Sequence, residues 1–138
     1  MLSIPNNLKM TKSNRFFLFM ASMLGATGVA LGAYANHGLS TWASLQQVDY
    51  FQLAVNYQLI HALLLLMVST LNLLMPSRYL LLSQISLLLG VCFFSGSLYL
   101  YVLMGTKIVA MITPLGGLLL ICAWLFAALS FITKSKKC

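Results

Sequence analysis

From Phe16 to Ile132 the chain carries only three charged side chains, Asp49, Arg78 and Lys107, and each stands at or near the edge of a long apolar run. Asp49 is the only acidic residue of all 138. A water-soluble domain needs far more than 7% charged residues to keep its surface solvated. Lipid is therefore the solvent for most of this chain, in keeping with its 61% apolar residues and a mean hydropathy of +0.95. Backbone polar groups in hydrocarbon must be satisfied internally, so the spans are expected as helices.

Four runs approach the roughly 20 residues needed to cross about 30 Å of hydrocarbon. They cover about 16–35, 53–75, 79–104 and 114–133. Pro76 stops the second, and Pro114 opens the fourth with Thr113 as its N-cap. The expected fold is an all-α membrane protein. It is a four-transmembrane-helix bundle over 16–133, between a basic segment 1–15 and a basic tail 134–138. Ser40 to Tyr50 is mildly amphipathic and reads as a short interfacial segment between spans one and two. Trp42, Tyr50 and Tyr79 stand near span ends, where aromatic belts form. Asp49, near the start of span two, suits the helix dipole and water.

The net charge of +7 is concentrated at the chain ends and in short loops, which directs it to anionic membrane lipid rather than nucleic acid. Lys9, Lys12 and Arg15 precede span one, Arg78 separates spans two and three, and Lys134, Lys136 and Lys137 follow span four. All seven fall on one side of the threading, and only Lys107 on the other. The positive-inside rule then puts both termini in the cytoplasm. Span one, with Ala33-Tyr34-Ala35, imitates a cleavable signal peptide, but its apolar run exceeds the usual 7–15 residues. It reads as a retained span.

Helices in lipid associate through close packing at small residues. Ala21, Gly25, Gly28, Gly32 and Ala35 form such a stripe on span one. Ser83, Ser86, Gly90, Gly96 and Ser97 lighten span three, and Gly116, Gly117, Ala123, Ala127 and Ser130 lighten span four. Packing within one bundle is the first expected use of these stripes; an interface with a second copy or another membrane protein is the second. Cys92, Cys122 and Cys138 show neither CxxC spacing nor a zinc pattern, and Cys92 and Cys122 read as small packing residues.

The polar residues concentrate toward the outer half. Asn36, His37, Asn56, Tyr57, Gln58, Ser95, Ser97, Tyr99 and Thr113 lie there, with His61 one turn deeper than Tyr57 on the same helix face. The inner half is nearly all apolar, with Asn72, Ser83 and Ser86 as exceptions, so a site should open toward the outer face. A buried imidazole needs a partner in lipid, so one connected network through His61 is expected. His37 is the only other histidine and lies near the membrane edge, which disfavours a bis-histidine haem or metal centre. One carboxylate cannot supply paired acid–base chemistry, and no nucleophile–base set is visible. Neither an enzyme nor a cofactor is expected.

Four stretches carry a family resemblance: Gly32-Ala33-Tyr34-Ala35-Asn36-His37-Gly38-Leu39, Tyr57-Gln58-Leu59-Ile60-His61-Ala62-Leu63, Phe94-Ser95-Gly96-Ser97-Leu98-Tyr99 and Ile112-Thr113-Pro114-Leu115-Gly116-Gly117. In order and spacing the chain from about Phe16 to Ile132 resembles the small membrane proteins grouped as domain of unknown function 423, related to the transmembrane protein 256 family. The resemblance implies four spans, commonly in the bacterial inner membrane, and no established activity. Where the family commonly reads Gly-Ala-Phe-Gly-Ala-His, this chain has Tyr34, Ala35 and Asn36 for Phe-Gly-Ala, with more polarity and one glycine fewer. The expected function is a non-catalytic scaffold, assembly or lipid-organising factor. A small oligomeric transporter or channel is the alternative, and a haem- or metal-binding redox protein the third.

Overall fold

The computed structural model describes residues 10–106, 109 and 111–133. Lys9, Lys107, Lys134, Lys136, Lys137 and Cys138 lie outside the described residues. Four long helices account for the fold: α1 Lys12–His37, α2 Leu45–Leu74, α3 Arg78–Met104 and α4 Thr113–Ile132. All four are long and apolar enough to cross a membrane, and no strand occurs among the described residues.

Local chemistry fixes the helix ends. The Thr11 side chain caps α1 by accepting from the Asn14 amide, and Ser77 does the same for α3 from Tyr79. Gly105 ends α3 with φ +69°, a left-handed conformation that glycine adopts without steric cost. α2 departs from expectation. Its first turn is set by a capping box, in which Ser44 receives the Gln47 amide and the Gln47 side chain receives the Ser44 amide. The helix therefore starts at Leu45, eight residues before the expected span, and Leu45 to Tyr50 is its opening turns rather than a separate interfacial segment. At about 1.5 Å per residue, thirty residues reach about 45 Å, well beyond the hydrocarbon, which leaves exposed Asp49 toward water. A single 3-10 turn, Leu39–Thr41, connects α1 to it.

α4 also differs in one respect. Thr113 is its first helical residue and makes no capping bond; Pro114 occupies the first turn as expected. The Thr113 hydroxyl lies instead 2.7 Å from Ser97 Oγ on α3.

The helices alternate in direction. Asn14 meets Asn72 while Thr27 meets Gln58 across α1 and α2. Ser69 meets Gln84 while Ala54 meets Ser95 across α2 and α3, and Ser83 meets Ala123 while Ser97 meets Thr113 across α3 and α4. Extensive packing is confined to sequential neighbours: α1 on α2, α2 on α3, α3 on α4. α2 and α3 are thus central, and α1 and α4 expose more of their length. The main core joins Phe17 and Ala21 of α1 with Leu65 and Val68 of α2, Leu87 and Val91 of α3, and Leu120 and Ala123 of α4. A second cluster, around Ala35, Leu39, Phe51, Val55 and Val102, closes the end where α1 turns into α2. Ala35 is completely buried there.

Candidate functional site

Gln58 of α2 is 4% exposed and is held by two other helices. Its Nε2 donates to the Leu24 carbonyl at 2.8 Å and to Thr27 Oγ1 at 2.9 Å, both on α1. Its Oε1 accepts from the Tyr99 hydroxyl of α3 at 2.8 Å. Both amide protons are thereby used, as buried amides in hydrocarbon require. The approach to α1 depends on Gly28, where an added Cβ would stand 2.7 Å from Leu59 Cδ2 and 3.4 Å from Gln58 Nε2.

A second amide clamp occupies the end of the molecule near the helix starts of α1 and α3. Gln84, fully buried on α3, donates to Ser69 Oγ at 2.9 Å. Asn72 Nδ2 reaches Gln84 Oε1 at 3.3 Å and Asn14 Oδ1 at 3.4 Å, and Asn72 Oδ1 accepts from the Ser77 amide at 3.0 Å. Three buried serines add cross-helix bonds. Ser83 donates to the Ala123 carbonyl and Ser95 to the Ala54 carbonyl, each at 2.8 Å. Ser97 donates to the Phe94 carbonyl at 2.9 Å, which uses its one proton, so Thr113 is the donor in the Thr113–Ser97 pair.

His61 stands apart from both clamps. It is 6% exposed, yet it lines a groove of about 420 Å³ between α2, α3 and α4. Its Nδ1 lies 2.7 Å from the carbonyl of Tyr57. A carbonyl only accepts, so Nδ1 carries the proton, and in the neutral ring Nε2 presents a lone pair. The indole N–H of Trp124 on α4 points to that lone pair from 3.4 Å. This is longer than the 2.7–3.2 Å of an ordinary N–H hydrogen bond. Tyr57 stacks on Phe94 with ring centroids 4.3 Å apart and on His61 at 5.7 Å, so aromatic rings line this side of the groove. Ile60, Ile121 and Trp124, each at least half exposed, form the rim. The groove therefore opens through the sides of α2 and α4, where these side chains are exposed.

The expected single network is resolved into separate pieces. Gln58 and Tyr99 are joined, and Ser97 and Thr113 are joined; Ser95 bonds to α2 by itself. Tyr57 and His61 belong to the groove. Asn36 is exposed and donates to the Gly32 carbonyl of its own helix, His37 is exposed at the end of α1, and Asn56 is exposed on α2. Those three project away from the packed faces, because a helix buries only the stripe it turns to its neighbours.

The small residues also divide. Gly28 and Gly32 face Leu59 and Val55 of α2, and Gly90 faces Leu120 of α4. Gly116 lies against the α3 backbone: a Cβ there would be 2.7 Å from the Phe93 carbonyl carbon. Gly117 is in ordinary contact range of Phe94 at 3.7 Å. At Gly25 and Gly96 a Cβ would meet nothing within 4 Å, so these two are not close-packing positions. Cys92 and Cys122 are exposed rather than packed, since both sit on helix faces turned outward.

Sequence reasoning passed over Gln84, Ser69, Asn14, Thr27 and Trp124. A signal for two of them was present. Gln84 is an amide in the middle of an apolar run, where it must find a partner. Trp124 lies deep within span four, away from the interfacial belt where tryptophan is usual.

A family model described as protein of unknown function DUF423 matches residues 31–117. These include Gln58, His61, Phe94 and Gly117. The chain belongs to this family. It is 35% identical over 120 residues to a UPF0382 membrane protein of Haemophilus influenzae, covering 86% of this chain and 96% of that one. A UPF0382 membrane protein of Staphylococcus haemolyticus is likewise 35% identical, over 84% of this chain and 94% of its own length. The UPF0382 inner membrane protein YgdD of Escherichia coli K12 is 31% identical over 91% of this chain and 95% of its own. No solved structure matches the chain. The DUF423 chain is thus an integral membrane protein without established activity, built on the four spans described above.

Proposed function

We propose that this DUF423 protein is a non-catalytic, lipid-organising component of the inner membrane that retains a lipid-phase molecule in the groove between α2, α3 and α4. The observation supporting this is the groove itself. Its volume of about 420 Å³ falls within the roughly 300–1,000 Å³ of small-molecule sites. It opens to hydrocarbon, and its lining offers hydrogen bonding and aromatic surface for a bound molecule. Anionic headgroups at the end carrying Lys12, Arg15 and Arg78 are the accompanying lipid contacts, with both termini cytoplasmic. Association with a second copy or a membrane-protein partner through the exposed faces of α1 and α4 belongs to the same proposal.

Native mass spectrometry from mild detergent, with lipid extraction, tests the binding. Wild type should retain one or more lipid-phase molecules, and Gly117→Leu, which fills the groove, should lose them. Equal retention by both would overturn the groove as the site. The same spectra read association with a second copy. The orientation has a separate test. With Cys92 and Cys122 replaced by alanine, a cysteine placed at Gln46 should react with an impermeant reagent in intact cells, while Cys138 should not. The reverse pattern would invert the threading.

A further inference from the structure

We propose that the groove selects a lipid-phase molecule whose head is a ring bearing a hydroxyl, of the phenol or hydroquinone class. This rests on the binding function proposed above and adds the chemistry of the ligand. The His61 ring is fixed by the 2.7 Å bond from Nδ1 to the Tyr57 carbonyl, so Nε2 cannot become a donor while the ring is neutral. Opposite it, the Trp124 indole can only donate. The two meet in one long hydrogen bond of 3.4 Å, beyond the usual range of about 2.7–3.2 Å, so each holds a weak partner that a better-placed group can replace. A buried acceptor and a donor so placed call for one group that both donates and accepts.

A hydroxyl does this: it donates to Nε2 and accepts from the indole N–H. A ketone or ether oxygen accepts from Trp124 but leaves Nε2 unpaired. An acyl chain satisfies neither. A lone-pair nitrogen at the end of a buried imidazole is costly to leave without a donor in hydrocarbon. The preference for a ring comes from the lining. Phe94, Tyr57 and His61 are stacked rings and Trp124 adds a fourth aromatic group, whose edges and remaining faces favour a ring over an acyl chain. Trp124 is 50% exposed, so it can move aside to admit the hydroxyl without disturbing the core. The open rim at Ile60 and Ile121 leaves the ligand's apolar tail in the bilayer. For a molecule that exists as quinone and hydroquinone, the reduced form is the one bound, because only it carries the proton that Nε2 accepts.

The test uses the full chain in nanodiscs, titrated with para-hexylphenol, its methyl ether and hexylbenzene. Trp124 fluorescence in a Trp42→Phe background reads binding, and the imidazole nitrogen NMR signal of Nε2 reads the hydrogen bond. The phenol should bind about tenfold more tightly than the ether, the factor that one ordinary hydrogen bond supplies. Only the phenol should shift Nε2. His61→Phe, which keeps an aromatic ring, should bring the phenol-to-ether ratio to about one; if that variant fails to fold, the ratio on wild type decides alone. Equal binding of all three compounds would overturn the hydroxyl assignment and leave the groove as a general lipid slot. No binding of any, together with no lipid retained on purification, would remove the groove function as well.

Discussion

Gln58 and His61 lie three residues apart on α2 and are almost equally buried, at 4% and 6% exposure. Their surroundings differ sharply. Gln58 has both amide protons and its oxygen engaged by α1 and α3, so it ties three helices together and has nothing further to offer. His61 has one firm bond, and that one runs to its own helix; its outward nitrogen holds only the long contact to Trp124. Burial alone therefore does not separate a polar residue whose hydrogen-bond valences are all used from one with valence to spare. The count of hydrogen-bond valences already used does. A fully used group locks the bundle, and a partly used group at a lipid-facing groove is available.

The largest effect that can break this comparison separates two adjacent glycines of α4. Gly116→Leu should destabilise the fold by about 3 kcal/mol or more, because its side chain meets α3 backbone that cannot yield cheaply. Gly117→Leu should stay within about 0.5 kcal/mol of wild type, since it grows into the groove. Thermal unfolding in detergent reads both. Similar losses would mean that the groove is as tightly packed as the α3–α4 seam.

Next in size, Gln58→Leu should cost about 1–3 kcal/mol by leaving Thr27 and the Tyr99 hydroxyl without their partner. Gly28→Leu should fall in the same range of about 1–3 kcal/mol, because it drives into Leu59 and Gln58. It should exceed the loss from half-buried Leu31→Ala in the same melt; a smaller loss would mean that the Gly28 face is not a contact. Tyr99→Phe removes a single bond and should cost about 0.6 kcal/mol, the average for such bonds between membrane helices.

The smallest effect belongs to His61. His61→Leu gives up one weak contact and one bond to a carbonyl of its own helix, so its loss should be below about 0.6 kcal/mol. Steady-state fluorescence should nevertheless report a changed Trp124 environment. If His61→Leu proves as damaging as Gln58→Leu, His61 is a structural residue and the contrast between the two disappears.

What could be read from the chain alone follows from solvent and from local bonding. The scarcity of charge sets the environment, the lengths of the apolar runs set four helices, and Pro76 and Pro114 mark two of their limits. The start of α2 was legible too, in Ser44 and Gln47 three residues apart, though hydropathy drew attention to Leu53 instead. The close-packing glycines could be nominated as small residues on stripes, and Gly28, Gly32, Gly90 and Gly116 meet neighbours as such stripes should. Which way each helix turns could not be read. In lipid an apolar side chain is acceptable on either face, so hydropathy carries no signal for rotation. The outward placement of Gly25, Gly96, Cys92 and Cys122, the separation of Gln58 from His61, and the meeting of His61 with Trp124 were all decided by tertiary packing. Hydrogen-bond geometry between helices fixes that rotation, and it exists only once the helices are side by side.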